Sequence, residues 1–303
     1  MDQFASIALF VAAVEEGSLV AAGRRFGLSS SMAGKHVKAL EAKLNASLIQ
    51  RSTRRLNLTD VGRAYYERCK LILEDLDDAN REATDSNVTI RGVLRISAPV
   101  TFGAMYMGDV VARYLADHPQ SMTELQLSDQ YLDLLSHGID LAVRIGGIPS
   151  SGTMSKQVGS CGMIICAAPN FLERYGVPRT ADDLRRIPKL TFHDAVSSGT
   201  WTITDITGRT HEIAEPFRMV ANNAQMLHAA ALEGAGVAFG PEFVFGASIA
   251  AGNLARLLPD FTTAELKIHA VYPAARHVSG KVHRFIDYLS SAFLEDPPWE
   301  RVQ

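Results

Sequence analysis

SSSMAGKHVKALE, residues 29–41, sets three serines, two lysines and a histidine among small apolar residues in a chain whose formal net charge is −3. Ser29 is a good N-cap, and Ala33, Val37, Leu40 and Leu44 follow at steps of four, three and four, which places them on one buried stripe of a helix. Ser30, Ser31, Gly34, Lys35 and Lys38 then share the opposite face. That face is small, polar and basic.

Working outward from this helix, Asp2 caps an earlier one in which Phe4, Ile7, Val11 and Val14 keep helical spacing until Gly17 stops it. Ser18 caps a second, LVAAGRRF, which Gly27 ends. Two short helices joined by a glycine-bearing turn, the second with a basic outer face, form the helix-turn-helix arrangement, whose second helix enters the DNA major groove. Beyond it, LIQRSTRRLNLT, residues 48–59, reads as two extended runs around a polar, basic turn, a β-hairpin wing with arginines at its tip. From Arg24 to Arg55 eight basic residues stand against Glu41 alone, a local charge of +7 that leaves −10 for the rest of the chain. One module is therefore expected to meet a polyanion while an acidic body does something else. The DNA-facing set is Ser18, Ser29, Ser30, Ser31, Met32, Gly34, Lys35, His36, Lys38, Arg51, Thr53, Arg54 and Arg55. Lys35 is suited to guanine O6 or N7 or to phosphate, and the wing arginines to the backbone or minor groove.

The stretch EEGSLVAAGRRFGLSSSMAGKHVKALEAKLNASLIQRSTRRLNLTDVG, residues 15–62, resembles the N-terminal module of the LysR-type transcriptional regulators of bacteria. Two positions depart from the family's habit. Gly34 replaces the usual serine and removes a hydroxyl from the DNA-facing surface, while Asn45 replaces a glycine after the third helix, where asparagine tolerates the left-handed cap.

Thr59 caps a longer segment in which Tyr65, Cys69, Ile72, Leu76, Ala79 and Ala83 step by four and three. Such a seam either packs on its own chain or joins two chains. The resemblance implies the second, a linker helix in a homodimer or homotetramer, which also fits DNA read as split palindromic half-sites.

From Val93 onward the runs VLRISAP, ELQLS, DLAVRIG, GMIICAAP, PKLTF, AGVAFGP and IHAVYP read as strands alternating with helical stretches, which implies parallel sheets covered by helices. ISAPVTFG, DLAVRIGG, CAAPNFL, NNAQMLHAAALEGAGVAFGP and HAVYP resemble the periplasmic-binding-protein-like effector domain of the same family. The expected fold is thus multidomain, α+β followed by α/β. A winged helix-turn-helix occupies residues 1–59 and a linker helix with hinge residues 60–90, before a two-lobed effector domain over 91–303. Lobe I covers about 91–161 and 267–295 and lobe II about 162–266, with crossovers near 160–164 and 264–268.

Ligands of open α/β sheets bind beyond the carboxyl ends of the strands. That rule selects Ser97, Pro99, Val100, Thr101 and Phe102 after the first strand, Arg144 after the third, His193 in lobe II, and Asn222 and Asn223 before a helix. Arg144 offers a fork for a carboxylate-bearing small molecule, unless an internal acid pairs with it. Thr101 offers a hydroxyl, unless it only caps its helix, and a lone histidine such as His193 is often structural.

Catalytic readings find little support: GxSxG, P-loop, HExxH and paired CxxC motifs are missing, and GASIAAG lacks a preceding strand. Cys69, Cys161 and Cys166 are odd in number and scattered, which suits buried thiols better than disulfides or zinc. No catalytic residue, cofactor or metal is expected. The N-terminus opens with Asp2 and no basic region, so it reads as a helix and not a signal peptide. A cytoplasmic, nucleoid-associated chain follows. The rival from another class is a solute-binding protein, against which the basic N-terminal module argues.

Overall fold

The computed structural model describes residues 2–50, 56–84, 90–147, 152–192, 200–274, 278–295 and 297–300. The chain divides into two compact units, Met1–Val88 and Thr89–Gln303.

In the first unit, helix α1 (Gln3–Glu15) starts where the Asp2 carboxylate accepts the Ala5 N–H, and Gly17 takes the positive φ that ends it. Helix α2 (Leu19–Arg25) is capped by Ser18, which accepts from Val20 and Ala21, and helix α3 (Ser30–Leu44) by Ser29, which accepts from Met32. Asn45 closes α3 in the left-handed conformation, φ 49°. The core joins Ile7, Phe10 and Val11 of α1 to Val37 and Leu40 of α3, with Leu48 beneath. Phe4, expected in that stripe, is exposed. It lies on the first turn, beyond the reach of α3's apolar face. Strands β1 (Ile49–Gln50) and β2 (Asn57–Leu58) pair antiparallel as the base of the wing. Helix α4 (Asp60–Thr84) follows, and Gly62 on its first turn lies so near Leu48 that a Cβ would come within 1.9 Å of the Leu48 carbonyl oxygen. Only glycine lets α4 leave the wing at that angle.

In the second unit, strand β3 (Gly92–Ala98) leads into α5 (Val100–Phe102), a π-helical turn (Gly103–Met107) and α6 (Gly108–Asp117). Strands β4 (Ser121–Leu127), β5 (Leu141–Ile145) and β6 (Thr153–Cys161) complete the outward run. Strand β7 (Met163–Ala167) begins the second lobe after Gly162 alone. There α7 (Pro169–Tyr175), α8 (Ala181–Arg186), β8 (Lys189–Phe192), β9 (Trp201–Thr204), β10 (Thr210–Ile213), β11 (Met219–Ala221), α9 (Ala224–Leu232), β12 (Val237–Pro241), α10 (Glu242–Ala250), β13 (Ala255–Leu257) and β14 (Thr262–Thr263) follow. Strand β15 (Leu266–Pro273) returns to the first lobe, and α11 (Gly280–Ser290) packs there.

The lobe sheets have the orders β4-β3-β5-β15-β6 and β11-β8-β12-β7-β13. Both are mixed, which corrects the expectation of parallel sheets. Pairs β3–β4, β3–β5, β8–β11 and β8–β12 are parallel, whereas β15 and β7 run antiparallel to each of their neighbours. The reason is the double crossover. A strand built by a βαβ unit runs toward the hinge, but β7 and β15 enter their lobes from the hinge and must run away from it. A third sheet, β10-β9-β14, went unread in the sequence because its strands are two to four residues long.

Candidate DNA interface and effector face

The outer face of α3 is exposed at Ser30, Ser31, Met32, Lys35 and Lys38, with Gly34 and His36 half-buried. Among the described residues no acid pairs with Lys35 or Lys38. The Ser18 and Ser29 oxygens accept capping N–H groups, which sets the starts of α2 and α3 and leaves each O–H able to donate. At Gly34 a Cβ would meet nothing within 4 Å, and the missing side chain leaves the backbone open on this face. Arg51, Thr53, Arg54 and Arg55 lie outside the described residues. Their base is nevertheless fixed by a contact the sequence reading missed. Glu41 of α3 accepts from the Leu48 and Ile49 N–H groups at 2.7 and 3.0 Å, tying the base of the wing to α3. The signal was there: Glu41 is the single acid in a block of +7.

The seam on α4 splits. Tyr65 and Cys69 pack with Phe10 and Val11 in the core of their own unit, so these two leave the expected dimer set. Burial raises both their pKa values. Farther along, Ile72 and Leu76 are 50% and 41% exposed. The physical reason is length: α4 outruns α1, which can cover only its first turns. The side chains of Ala79 and Ala83 lie outside the described residues.

In the second unit the residues after β3 part company. Asp129 accepts the Val100 N–H at 3.0 Å, fixing the start of α5 below Pro99. Thr101 is buried without capping its helix. Phe102 is fully buried in an aromatic cluster with Tyr106 and Phe293 of lobe I, Phe243 of lobe II, and Trp299. That corrects its assignment as an effector contact: a ring closed in on every side is core. Tyr106, on the π-helical turn, donates to the Phe243 carbonyl at 2.7 Å and so links the lobes directly. Burial pushes its phenol up to about 12.

Arg144 lies inside β5 and not after it, a second correction. Ser97 is level with Ala142, and Arg144 with His269, so Ser97, Arg144 and His269 share one sheet face. The opposite face, with Leu94, Ile96, Ala98, Val143, Ile268 and Ala270, belongs to the core under α6 and α11. Asn223 caps α9 through the Met226 N–H and Asn222 is exposed. His193 lies outside the described residues. Cys161 and Cys166 are buried, and desolvation pushes both thiols up to about 12. Among the described residues no cluster of His, Cys, Asp or Glu could hold a metal, and no helix is long and apolar enough to cross a membrane.

A winged helix-turn-helix followed by a two-lobed, doubly hinged α/β domain defines a ligand-responsive DNA-binding regulator. Comparison with known proteins gives the family. Residues 4–63 match the bacterial regulatory helix-turn-helix protein, lysR family, and residues 88–294 match the LysR substrate binding domain. The chain belongs to the LysR family. It is 35% identical over 93% of its length to an uncharacterized HTH-type transcriptional regulator of Haemophilus influenzae, covering 98% of that protein. The HTH-type transcriptional regulator PtxR of Pseudomonas aeruginosa is 33% identical, with 95% of this chain and 92% of PtxR covered. Among solved structures, the full-length Vibrio cholerae virulence activator AphB matches 96% of this chain and 99% of its own at a TM-score of 0.61 and 26% identity. CrgA, a LysR-type transcriptional regulator from Neisseria meningitidis, matches with the same coverage, TM-score and identity. The protein is a LysR-type, sequence-specific DNA-binding transcriptional regulator with an effector-binding domain. The solute-binding alternative does not account for the match of residues 4–63 to DNA-binding regulators.

Proposed function

We propose that a homodimer, or a dimer of dimers, binds double-stranded promoter DNA as two split palindromic half-sites in the cytoplasm at the nucleoid. The functional modules are residues 1–59 for DNA, 60–90 for pairing and hinge, and 91–303 for the effector. Helix α3 reads bases through Ser30, Ser31 and Lys35, and Arg51, Arg54 and Arg55 meet sugar and phosphate. The observation that carries this reading is the exposed α3 face, whose lysines lack acidic partners among the described residues, held against a wing by Glu41. Ile72 and Leu76 supply the apolar stripe through which two α4 helices pair.

A small molecule bound at the hinge ends of the lobe sheets favours one lobe arrangement over another. Because Tyr106 and Phe243 join the lobes beside the segment Pro99–Thr101, occupancy there biases lobe closure, and through it the spacing of recognition helices across the dimer. The chemistry needed is binding alone, in keeping with homologues that are transcriptional regulators.

Mobility shift of the full chain on DNA from its own upstream region tests the proposal. Specific retention that weakens steeply with salt is expected, since each neutralised phosphate adds roughly 0.9 to the logarithmic slope. Equal affinity for that DNA and for unrelated DNA of the same length would refute it.

A further inference from the structure

Three buried polar atoms crowd one face of the lobe I sheet without hydrogen-bond partners: Ser97 Oγ, Arg144 Nη2 and His269 Nδ1. They come from three adjacent strands. Arg144 and His269 are paired across β5 and β15, and Ser97 on β3 is level with Ala142, two residues before Arg144. Ser97 is 0% and Arg144 6% exposed. The segment between β4 and β5 lies over them, where the Tyr131 ring sits 5.5 Å from the Arg144 guanidinium and the Tyr131 hydroxyl is tied to the Gly147 carbonyl.

The guanidinium is poorly compensated. Besides the Tyr131 ring, among the described residues it has one hydrogen bond, to the neighbouring Val143 carbonyl at 3.4 Å, and no carboxylate forms an ion pair with it. Asp129 contributes a longer-range attraction but has its carboxylate turned to the Val100 N–H. Lys189, another buried cation, has two carbonyl partners instead of one, those of Arg185 and Ile187 at the end of α8. A charge buried without such partners is costly, and here desolvation lowers the Arg144 pKa. Burial, with Lys267 nearby, likewise lowers the pKa of His269, so its ring is a neutral donor or acceptor.

Resting on the proposed effector function, we infer that Ser97, Arg144 and His269 form a subsite for the carboxylate of a monoanionic small molecule. One cation with a planar fork, a hydroxyl and a neutral imidazole matches a single carboxylate in charge and in donors. A phosphate dianion would need a second cation, and Asp129 is on the wrong side of that balance.

The test is thermal unfolding of the full-length protein with phenylacetate and with phenylacetamide, which differ at the charged group. Phenylacetate is expected to raise Tm by several degrees and phenylacetamide to leave it unchanged. Arg144→Met should abolish that response and, because it removes an uncompensated buried charge, should raise the ligand-free Tm by about 2–4 °C. Ser97→Ala, which keeps the charge, should weaken the response without abolishing it. The inference is overturned if phenylacetate gives no shift, if inorganic phosphate shifts the protein and phenylacetate does not, if both probes act equally, or if Arg144→Met unfolds or lowers the ligand-free Tm. Wild-type retention of its own upstream DNA, measured in parallel, separates the two readings. Loss of that retention sinks the regulatory function, while a missing carboxylate response sinks the subsite alone.

Discussion

Glu41 Oε1 stands 2.7 Å from the Leu48 backbone nitrogen, so α3, the helix proposed to face DNA, also holds the strand that begins the wing. The same oxygen accepts from Ile49. Charge-assisted bonds of this kind contribute about 1–3 kcal/mol. Glu41→Ala should therefore lower the unfolding free energy of the first unit by about that amount and weaken DNA binding at all sequences alike, as the wing loses its anchor. Glu41→Gln keeps an acceptor and should restore part of both losses. Chemical denaturation with a parallel mobility shift reads the pair, and an Ala variant of unchanged affinity would detach the wing from binding.

Base reading and phosphate contact separate at Lys35. Lys35→Ala should cost roughly 1–3 kcal/mol at one base pair of each half-site and flatten sequence preference there. Competition between the operator and single-base variants measures it. Undiminished preference in a folded dimer would leave the lysine as mere solvated surface.

Gly34 sits in open space on the same helix, so Gly34→Ser meets no steric obstacle. Replacing a mid-helix glycine should raise the Tm of this unit by about 2 °C through backbone entropy. Calorimetry decides, and a fall in Tm would mean that the helix needs glycine for a reason beyond packing.

Ile72 and Leu76 are exposed where Tyr65 and Cys69 are not. Replacing both Ile72 and Leu76 by aspartate should halve the mass seen by light scattering while leaving the helix-turn-helix folded, since neither contributes to its core. Cys69→Asp should instead unfold the unit. An unchanged mass for the double variant would exclude this stripe as the pairing surface.

The hairpin of β9 and β10 carries an acid-sensitive turn. Asp205 accepts from the Thr207 and Arg209 N–H groups and the Thr207 hydroxyl, and its second oxygen lies 2.7 Å from His211 Nε2. These contacts, that to His211 first, hold the carboxyl well below its usual value of 3.8. A depressed folded pKa contributes stability that is present above the unfolded value and is lost as pH falls through the carboxylate range. The Tm gap between wild type and Asp205→Asn should accordingly be widest near neutrality and shrink toward about pH 3. A gap that does not change with pH would reduce Asp205 to a neutral turn former.

Local chemistry made the first unit legible. Asp2, Ser18, Ser29, Gly17, Gly27 and Asn45 are caps and stops whose partners lie within a few residues, so they can be read without knowing the fold. The Ala33, Val37 and Leu40 stripe was legible for the same reason, and with it the outward face of α3. Periodicity says which side chains share a face, however, and not what covers that face. Only the packing of α1 against α4 decided that Tyr65 and Cys69 close their own core while Ile72 and Leu76 remain open. Strand direction likewise depended on which strands follow a crossover, a long-range fact that no alternation of residues encodes. At Arg144 the sequence supplied a guanidinium at a strand end. Tertiary structure alone buried it beside Ser97 and His269, with no acid paired to it among the described residues, because partners from three strands meet only when the sheet is assembled.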